Sequence, residues 1–408
     1  MTDSEVMVTH PVLVVGAGPV GLSAALALRA AGLPALVLEG EAEVRQRPGS
    51  RATFIHGESL RHLESIREGL GWEVARNGLV WTTKRTYWGR DLVYTQTYPP
   101  PDPLQLPHST NLSQVRIEAI LLDACKRAGV ELAWNQEITS VAVSGDEVVL
   151  GTAGGREWRA RYVIGADGAR SAVRDGVGVE LEGPRIDNAF VIVDVAADPE
   201  RPPAPERVYY YHHPAVQRRN VLLVPFAGGV RADLQLRVDD DPERFNDTEG
   251  VKRWIGVVLP EGYGDRVTWV STYRFRQVVA ADFTDRQRRV LLVGEAAHLF
   301  APFGARGLNS GIPDALAAAR AVSSALSDPS TAVGAVEHFA DARRRAALYN
   351  RDASSLALKH MQANDLRVRI QRRVNAAIAK QGIKAGAWLD ASPFGPRASE
   401  HQNETGSY

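Results

Sequence analysis

Val12–Val15 form an unbroken apolar run, and the glycine-rich stretch GAGPVG follows at once as residues 16–21. Such a run suits a parallel strand buried on both faces. The alanine- and leucine-rich segment that follows reads as a helix to about Ala31, ended by Gly32. Ala35–Leu38 then completes a strand–helix–strand unit. Leu60, Leu63 and Ile66 share one stripe of a helix expected over Glu58–Glu68. Residues 91–110 are rich in proline and predict an exposed connection, with Ser113 capping a helix over Val115–Ala128 and VELAWN forming a strand.

Farther on, alternating segments from Ile138 to Trp158 predict a small meander, and ARYVIGADG a buried strand ending in glycine. Between about 183 and 285 the period becomes two, in runs at Phe190–Val195, Val208–Tyr211, Val221–Phe226, Ala232–Val238 and Thr268–Phe275. These runs predict an inserted antiparallel sheet with one helix near Gly250–Val258. RRVLLVG, residues 288–294, returns to the first domain, and from 330 the pattern is mainly helical to about 382. The expected divisions are 1–182 and 286–345 for the first domain, 183–285 for the sheet lobe, 346–390 for a helical region and 391–408 for a disordered tail.

Composition changes this picture little but excludes several functions. Forty-eight basic residues balance 48 acidic ones, which speaks against general binding to nucleic acid or an anionic membrane. No apolar run reaches membrane-spanning length, and MTDSEVMVTH lacks the features of a secretion signal, so the chain reads as cytoplasmic. Cys125 is the only cysteine, which rules out an intramolecular disulfide or a paired-thiol relay and reads as a buried helix residue.

The chemistry concentrates at the ends of apolar runs. Gly16 permits a tight turn, Gly18 lets a pyrophosphate approach the backbone, and Gly21 lets the helix pack on the strand, with Pro19 and Val20 between them. The helix start supplies unpaired N–H groups and positive potential for phosphates. Glu39, at the end of the second strand, suits a ribose diol and would repel a 2′-phosphate, which points to FAD or NAD rather than NADP. Asp167-Gly168 and Gly294-Glu295 each end a further apolar strand. Two extra strand-end acids suit the long ribityl chain of a flavin, so FAD is the expected cofactor.

Together with these motifs, GSRA (49–52), SQ (113–114), GADGARS (165–171) and GEAAHLFAPFGARGLNSGIPDA (294–315) resemble the single-component FAD-dependent aromatic hydroxylases, the group A flavoprotein monooxygenases. The resemblance covers roughly 11–345. It implies an α/β fold: a Rossmann-like FAD-binding domain with an inserted antiparallel β-sheet substrate lobe and a helical C-terminal region. It also implies that NAD(P)H donates electrons transiently, and that O2 hydroxylates a phenolic small molecule through a flavin C4a-hydroperoxide. By the same resemblance Arg51 contacts the pyrophosphate region, Gln114 reaches the flavin chain, and Asp167 serves FAD and NAD(P)H. Glu295 holds a ribityl hydroxyl, where the family usually has aspartate, and Pro302 with the backbone of Gly304, Gly307, Leu308 and Asn309 lines the flavin ring. Because Pro313 is tolerable only in a first turn, the helix behind that ring is expected to begin near Ser310.

On the substrate side, Tyr210 matches a tyrosine that contacts the phenol, and Arg231 an arginine near the flavin; an ordinary aromatic strand and a surface arginine are the plain alternatives. Where para-hydroxybenzoate hydroxylases carry a serine and an arginine for the substrate carboxylate, this chain has Leu223 and Pro225, which predicts a neutral or larger phenol. His212 and His213 read as turn residues, His298 as shaping the flavin pocket, and Arg367, Arg369, Arg372, Arg373 and Lys380 as a solvated helix face. No metal site is expected, and the chain is read as a monomer or homodimer. The alternatives are another chemistry on the same fold (epoxidase, halogenase or isoprenoid reductase) or a flavin-binding protein without turnover.

Overall fold

Thr9–Val15 lies at the centre of the first sheet, where Val12–Val15 are buried on both faces as the apolar run requires. The computed structural model describes residues 9–44, 52–379, 381 and 383–394, so Arg51, Lys380 and residues 395–408 lie outside it. The sheet runs Glu131–Ala133, Leu36–Leu38, Thr9–Val15, Glu157–Gly165, Glu147–Thr152, Ile138–Ser144, and Val290–Leu292 pairs with the far end of Glu157–Gly165. Its left half is parallel, and the meander from 138 onward is antiparallel. The helices Pro19–Ala30 and Arg306–Ser327 pack on one another beside it. Ser113 caps the helix Gln114–Arg127 by accepting from Arg116 N at 3.2 Å. Within that helix Cys125 is fully buried and burial pushes its thiol up to about 12, as befits a core residue.

The second sheet takes the order Val267–Arg276, Arg185–Ala196, Gly229–Gln235, Arg219–Phe226, Glu206–His213, Thr83–Trp88, Asp91–Thr97. Its last two strands correct the sequence reading. Residues 91–97 are not an exposed connection but half of a hairpin closed by Gly89-Arg90, and Thr83–Trp88 runs parallel to Glu206–His213. The lobe therefore borrows a hairpin from before 182. The Tyr, Val and Thr content of 91–97 suits a strand, and the prolines begin only at 99.

One face of this sheet, with Val191, Val193, Val221, Leu223, Ala232 and Leu234, packs on Trp254 and Ile255 of the helix Thr248–Val258. The opposite face, with Phe190, Ile192, Tyr209 and Tyr211, meets Phe303, Leu358, Met361 and Leu389. The C-terminal helices Ala332–Gln362, Leu366–Ala379 and Ile383–Ala391 close over that face. Asp390 pins the last one by accepting from Lys84 Nζ at 2.6 Å, Arg207 Nη2 at 2.8 Å and Thr86 Oγ1 at 2.9 Å. Residues 391–394 thus belong to the folded body, in contrast to the disordered tail expected from 391, and Pro393 is buried.

His360, under this roof, is held neutral: burial, and secondarily the charge of Arg372, bring its pKa down to about 3. Burial first and then Arg372 likewise bring His212 to about 4. Between these values and about 6.5, the ordinary histidine value, the unfolded chain binds protons that the fold refuses. Stability is therefore full above that value and falls as pH drops below it, by up to about 1.4 kcal/mol per pH unit per histidine. Urea midpoints measured from pH 7 to 4.5 are expected to show this decline, and His360→Gln to remove its share of the slope.

Candidate functional site

Three glycines of GAGPVG play different parts. A Cβ on Gly16 would sit 2.5 Å from Ala166 O, and one on Gly21 1.9 Å from Gly16 O, so the protein's own packing demands both. Gly16 also has a φ of +103°, which favours glycine. A Cβ on Gly18 would meet nothing within 4 Å, and its φ of −76° suits any residue. Packing within the chain does not demand a glycine there. Gly18 is also the start of the helix Pro19–Ala30 and offers no side-chain cap, so that helix's first N–H groups are left for an anion.

The distant glycine cluster meets this one around a single residue. Cβ atoms on Gly294 and Gly311 would lie 3.0 and 2.5 Å from Val20 Cγ2. The helix Arg306–Ser327 begins at Ala305 without a side-chain cap, and Gly307 in its first turn faces open space like Gly18. The two glycine segments thus form one cradle with an uncapped helix start at each end, which fits the pyrophosphate and ring ends of a flavin dinucleotide.

The helix begins at Arg306, not near Ser310, so Pro313 lies inside it. The lost hydrogen bond at Pro313 is offset by ties on the turn before it. Asn309 Nδ2 donates to Phe54 O and Ala305 O at 2.8 and 2.7 Å, and its Oδ1 accepts from His56 N and Ser59 Oγ at 2.9 and 2.7 Å. The Asn309 side chain is consumed in this scaffold. His56 Nε2 lies 3.1 Å from Gly304 O and braces the same loop. Neither His56 nor Ser59 carries a motif that would have singled it out.

The strand-end acids divide in the same way. Glu39 accepts from Ala17 N at 2.7 Å and Glu41 N at 3.0 Å, which holds the first loop. Asp167 accepts from Ser171 Oγ at 2.5 Å and Val173 N at 3.0 Å at the start of the short helix Ala172–Gly176, and burial pushes its carboxyl up. Gln114 Nε2 donates to Glu118 Oε1 at 2.8 Å. Glu295 is exposed on the short turn Gly294–Ala296, and Pro302 and Leu308 are half-buried. Asp314, within the glycine-rich motif but not singled out by it, is the buried hub behind this segment. It accepts from Gly294 N at 3.1 Å, His298 Nε2 at 2.7 Å and Arg343 Nε at 2.7 Å. Burial alone would raise its carboxyl, but Arg343 and His298 more than offset that and hold it below the ordinary range.

Next to the cradle, Phe190, Tyr209, Asn220, Leu222, Asp233, Gln235, Phe303, Met361, Pro393 and Phe394 line a pocket. Two sequence readings fail here for one reason. Tyr210 points to the opposite face of the sheet, stacked on Tyr87 at 4.7 Å, and Tyr209 faces the pocket. Leu223 is likewise turned away, and Leu222 is the lining residue. A shift of one residue exchanges every side chain between faces, so Leu223 cannot report on the substrate's charge. Arg231 is not a surface residue: its Nε donates to Asp233 Oδ1 at 2.7 Å, and although burial, the largest single influence, lowers its pKa, Asp233 and then Asp194 together more than offset that and raise it.

The family model for the FAD binding domain matches residues 9–348. The chain belongs to the FAD-binding-domain family. FAD is accordingly the cofactor. The chain is 31% identical over 311 residues to a 3-(3-hydroxy-phenyl)propionate/3-hydroxycinnamic acid hydroxylase of Mycolicibacterium smegmatis, covering 74% of this chain and 53% of that one. The Klebsiella pneumoniae protein of the same name is 29% identical over 315 residues, covering 75% and 54%. The chain thus spans about half the length of these curated relatives. Among solved structures, p-nitrophenol 4-monooxygenase of Pseudomonas putida superposes with a TM-score of 0.74 at 25% identity, covering 96% of this chain and all of that one. The Diels-Alderase PyrE3 shares the fold at a TM-score of 0.69 and 21% identity, covering 95% and 81%. The shared fold therefore does not by itself fix the reaction.

Proposed function

We propose that this protein hydroxylates a phenolic small molecule with NAD(P)H and O2. One observation carries the reading: the pocket has Phe303, from the flavin-ring segment, as one wall and Tyr209, Phe190 and Leu222 of the second sheet as the other. A ring bound there lies beside the flavin edge. Bound FAD supplies the transfer of reducing equivalents from the nicotinamide and the activation of O2. The chain's own part is to bind the ring, orient it and exclude water. Tyr209 is 3% exposed, and its hydroxyl has no partner among the described residues. Burial pushes that hydroxyl's pKa up, so it stays a donor on a residue that lines the pocket, available to a phenol oxygen. The cavity measures about 20 Å³, room for one water. An aromatic ring enters as Met361 and Phe394 rearrange, and methionine is suited to such adjustment.

The purified protein is expected to be yellow and to oxidise NADH or NADPH faster when the right phenol is present. If no phenol accelerates oxidation, the hydroxylase reading fails and a non-hydroxylating flavoprotein remains. Tyr209→Phe should lower the phenol-stimulated rate at least about tenfold. Its melting temperature should hold or rise, because the hydroxyl it removes is buried without a partner. Tyr210→Phe, on the other face, should leave turnover unchanged.

A further inference from the structure

Tyr209, Asn220, Asp233 and Gln235 are the polar residues of the aromatic pocket. The two amides are engaged by the protein itself. Asn220 Nδ2 donates to Gln235 Oε1 at 2.8 Å, and Asn220 Oδ1 accepts from His212 N at 3.1 Å. Gln235 Nε2 donates to Met361 O at 3.3 Å. What the lining keeps for a ligand is one donor, the Tyr209 hydroxyl, and one acceptor, the Asp233 carboxylate. Arg231 Nε occupies Asp233 Oδ1 at 2.7 Å, and Oδ2 has no hydrogen-bond partner among the described residues.

Strand register sets where these two groups stand. Tyr209 pairs with Leu222, and Leu222 with Asp233, so the three form one row across neighbouring strands, on the face that lines the pocket. The Cα atoms at the ends of the row are about 10 Å apart, two strand spacings. A single aromatic ring laid over Leu222 carries substituents toward both ends. The ends differ in charge. Beyond Asp233, the fully buried Asp194 stands opposite Arg231 in the next strand, so two carboxylates meet one guanidinium. Near Tyr209 stand Arg207 and Lys84, which share Asp390, and Arg372. Arg372 is only 3% exposed, with its guanidinium 4.6 Å from the Tyr211 ring centre, and so is not part of a solvated face.

We propose that Asp233 selects the pocket's ligand: an aromatic ring that carries, apart from the oxygen facing Tyr209, a separate O–H or N–H donor for Asp233 Oδ2, and no carboxylate at that end. The inference rests on the pocket's proposed role and names its substrate class, dihydroxybenzenes and aminophenols. A site built to accept from a donor rejects the analogue that lacks it, because the acceptor is then left unpaired. A carboxylate is rejected as well, since it brings two like charges together in a medium of low dielectric. Asp233, not Leu223 or Pro225, is the residue that reports on the ligand's charge.

The test uses the FAD-loaded protein under anaerobic conditions without nicotinamide, with binding read by calorimetry and flavin absorbance. Resorcinol and hydroquinone are each compared with the monomethyl ether and with the hydroxybenzoate of the same substitution pattern. At least one diol is expected to bind at least about tenfold more tightly than both of its analogues. If neither diol shows this preference, or no probe binds, the proposal is overturned. Asp233→Asn keeps an acceptor oxygen but removes the charge. It should cut the discrimination against hydroxybenzoate at least about tenfold and change binding of the ether less than about threefold. Equal changes for all three probes would make Asp233 merely structural and defeat the proposal. The wild-type comparison decides even where the variant does not fold. These are binding measurements, so they stand apart from failure of nicotinamide oxidation, which tests the hydroxylase reading.

Discussion

Gly18→Val is expected to abolish FAD binding while the apoprotein melts where the wild type does. The backbone at Gly18 already has dihedrals that valine adopts, and the added side chain would meet no protein atom. It would instead project into the space that the dinucleotide's phosphates need, at the uncapped start of the helix Pro19–Ala30. A loss of at least about 1000-fold in affinity, roughly 4 kcal/mol, is expected by fluorescence titration of the apoprotein with FAD. Gly21→Ala should behave differently, because its Cβ would lie 1.9 Å from Gly16 O and the strand–helix junction itself must shift. Retained FAD affinity in Gly18→Val would remove the cofactor from this end of the cradle.

The second large effect is expected at Asp314. Asp314→Ala removes the carboxylate that accepts from Arg343, itself 2% exposed, and deprives Gly294 N of its acceptor. Removing one partner of a buried ion pair costs about 3–5 kcal/mol, a large share of an ordinary stability of about 5–15 kcal/mol. Chemical denaturation should show this loss, and pairing the change with Arg343→Met should recover part of it, since the buried cation that Asp314 offsets goes too. The folded carboxyl lies below its unfolded value, so its contribution is present above the unfolded pKa of about 3.9 and disappears as pH falls through the folded one. That loss begins below about 3.9, whereas the decline set by His360 and His212 begins near 6.5, so the part of one pH series above about 4 reports the histidines alone.

The first strand–helix–strand unit was legible because all its signals agree: apolar run, glycine turn, alanine-rich helix, second apolar run. The inserted sheet was legible as a sheet but not as a surface with two faces. Residues 209–213 read Tyr-Tyr-Tyr-His-His, and a run without apolar–polar alternation gives no register, so the assignment fell on Tyr210 in place of Tyr209. The hairpin 83–97 was lost because its strand pairs with one more than a hundred residues away. Asp314 and Arg343 make a contact that only the packed helices create. Arg372 was misread for the soundest of local reasons: an arginine-rich helix with exposed neighbours belongs in water unless something inside requires a charge.

Val20, gripped between Gly294 and Gly311, joins two glycine segments that lie almost 280 residues apart in the chain. A change of side-chain volume at this one position would be felt by both segments at once, so their spacing is set by a single valine.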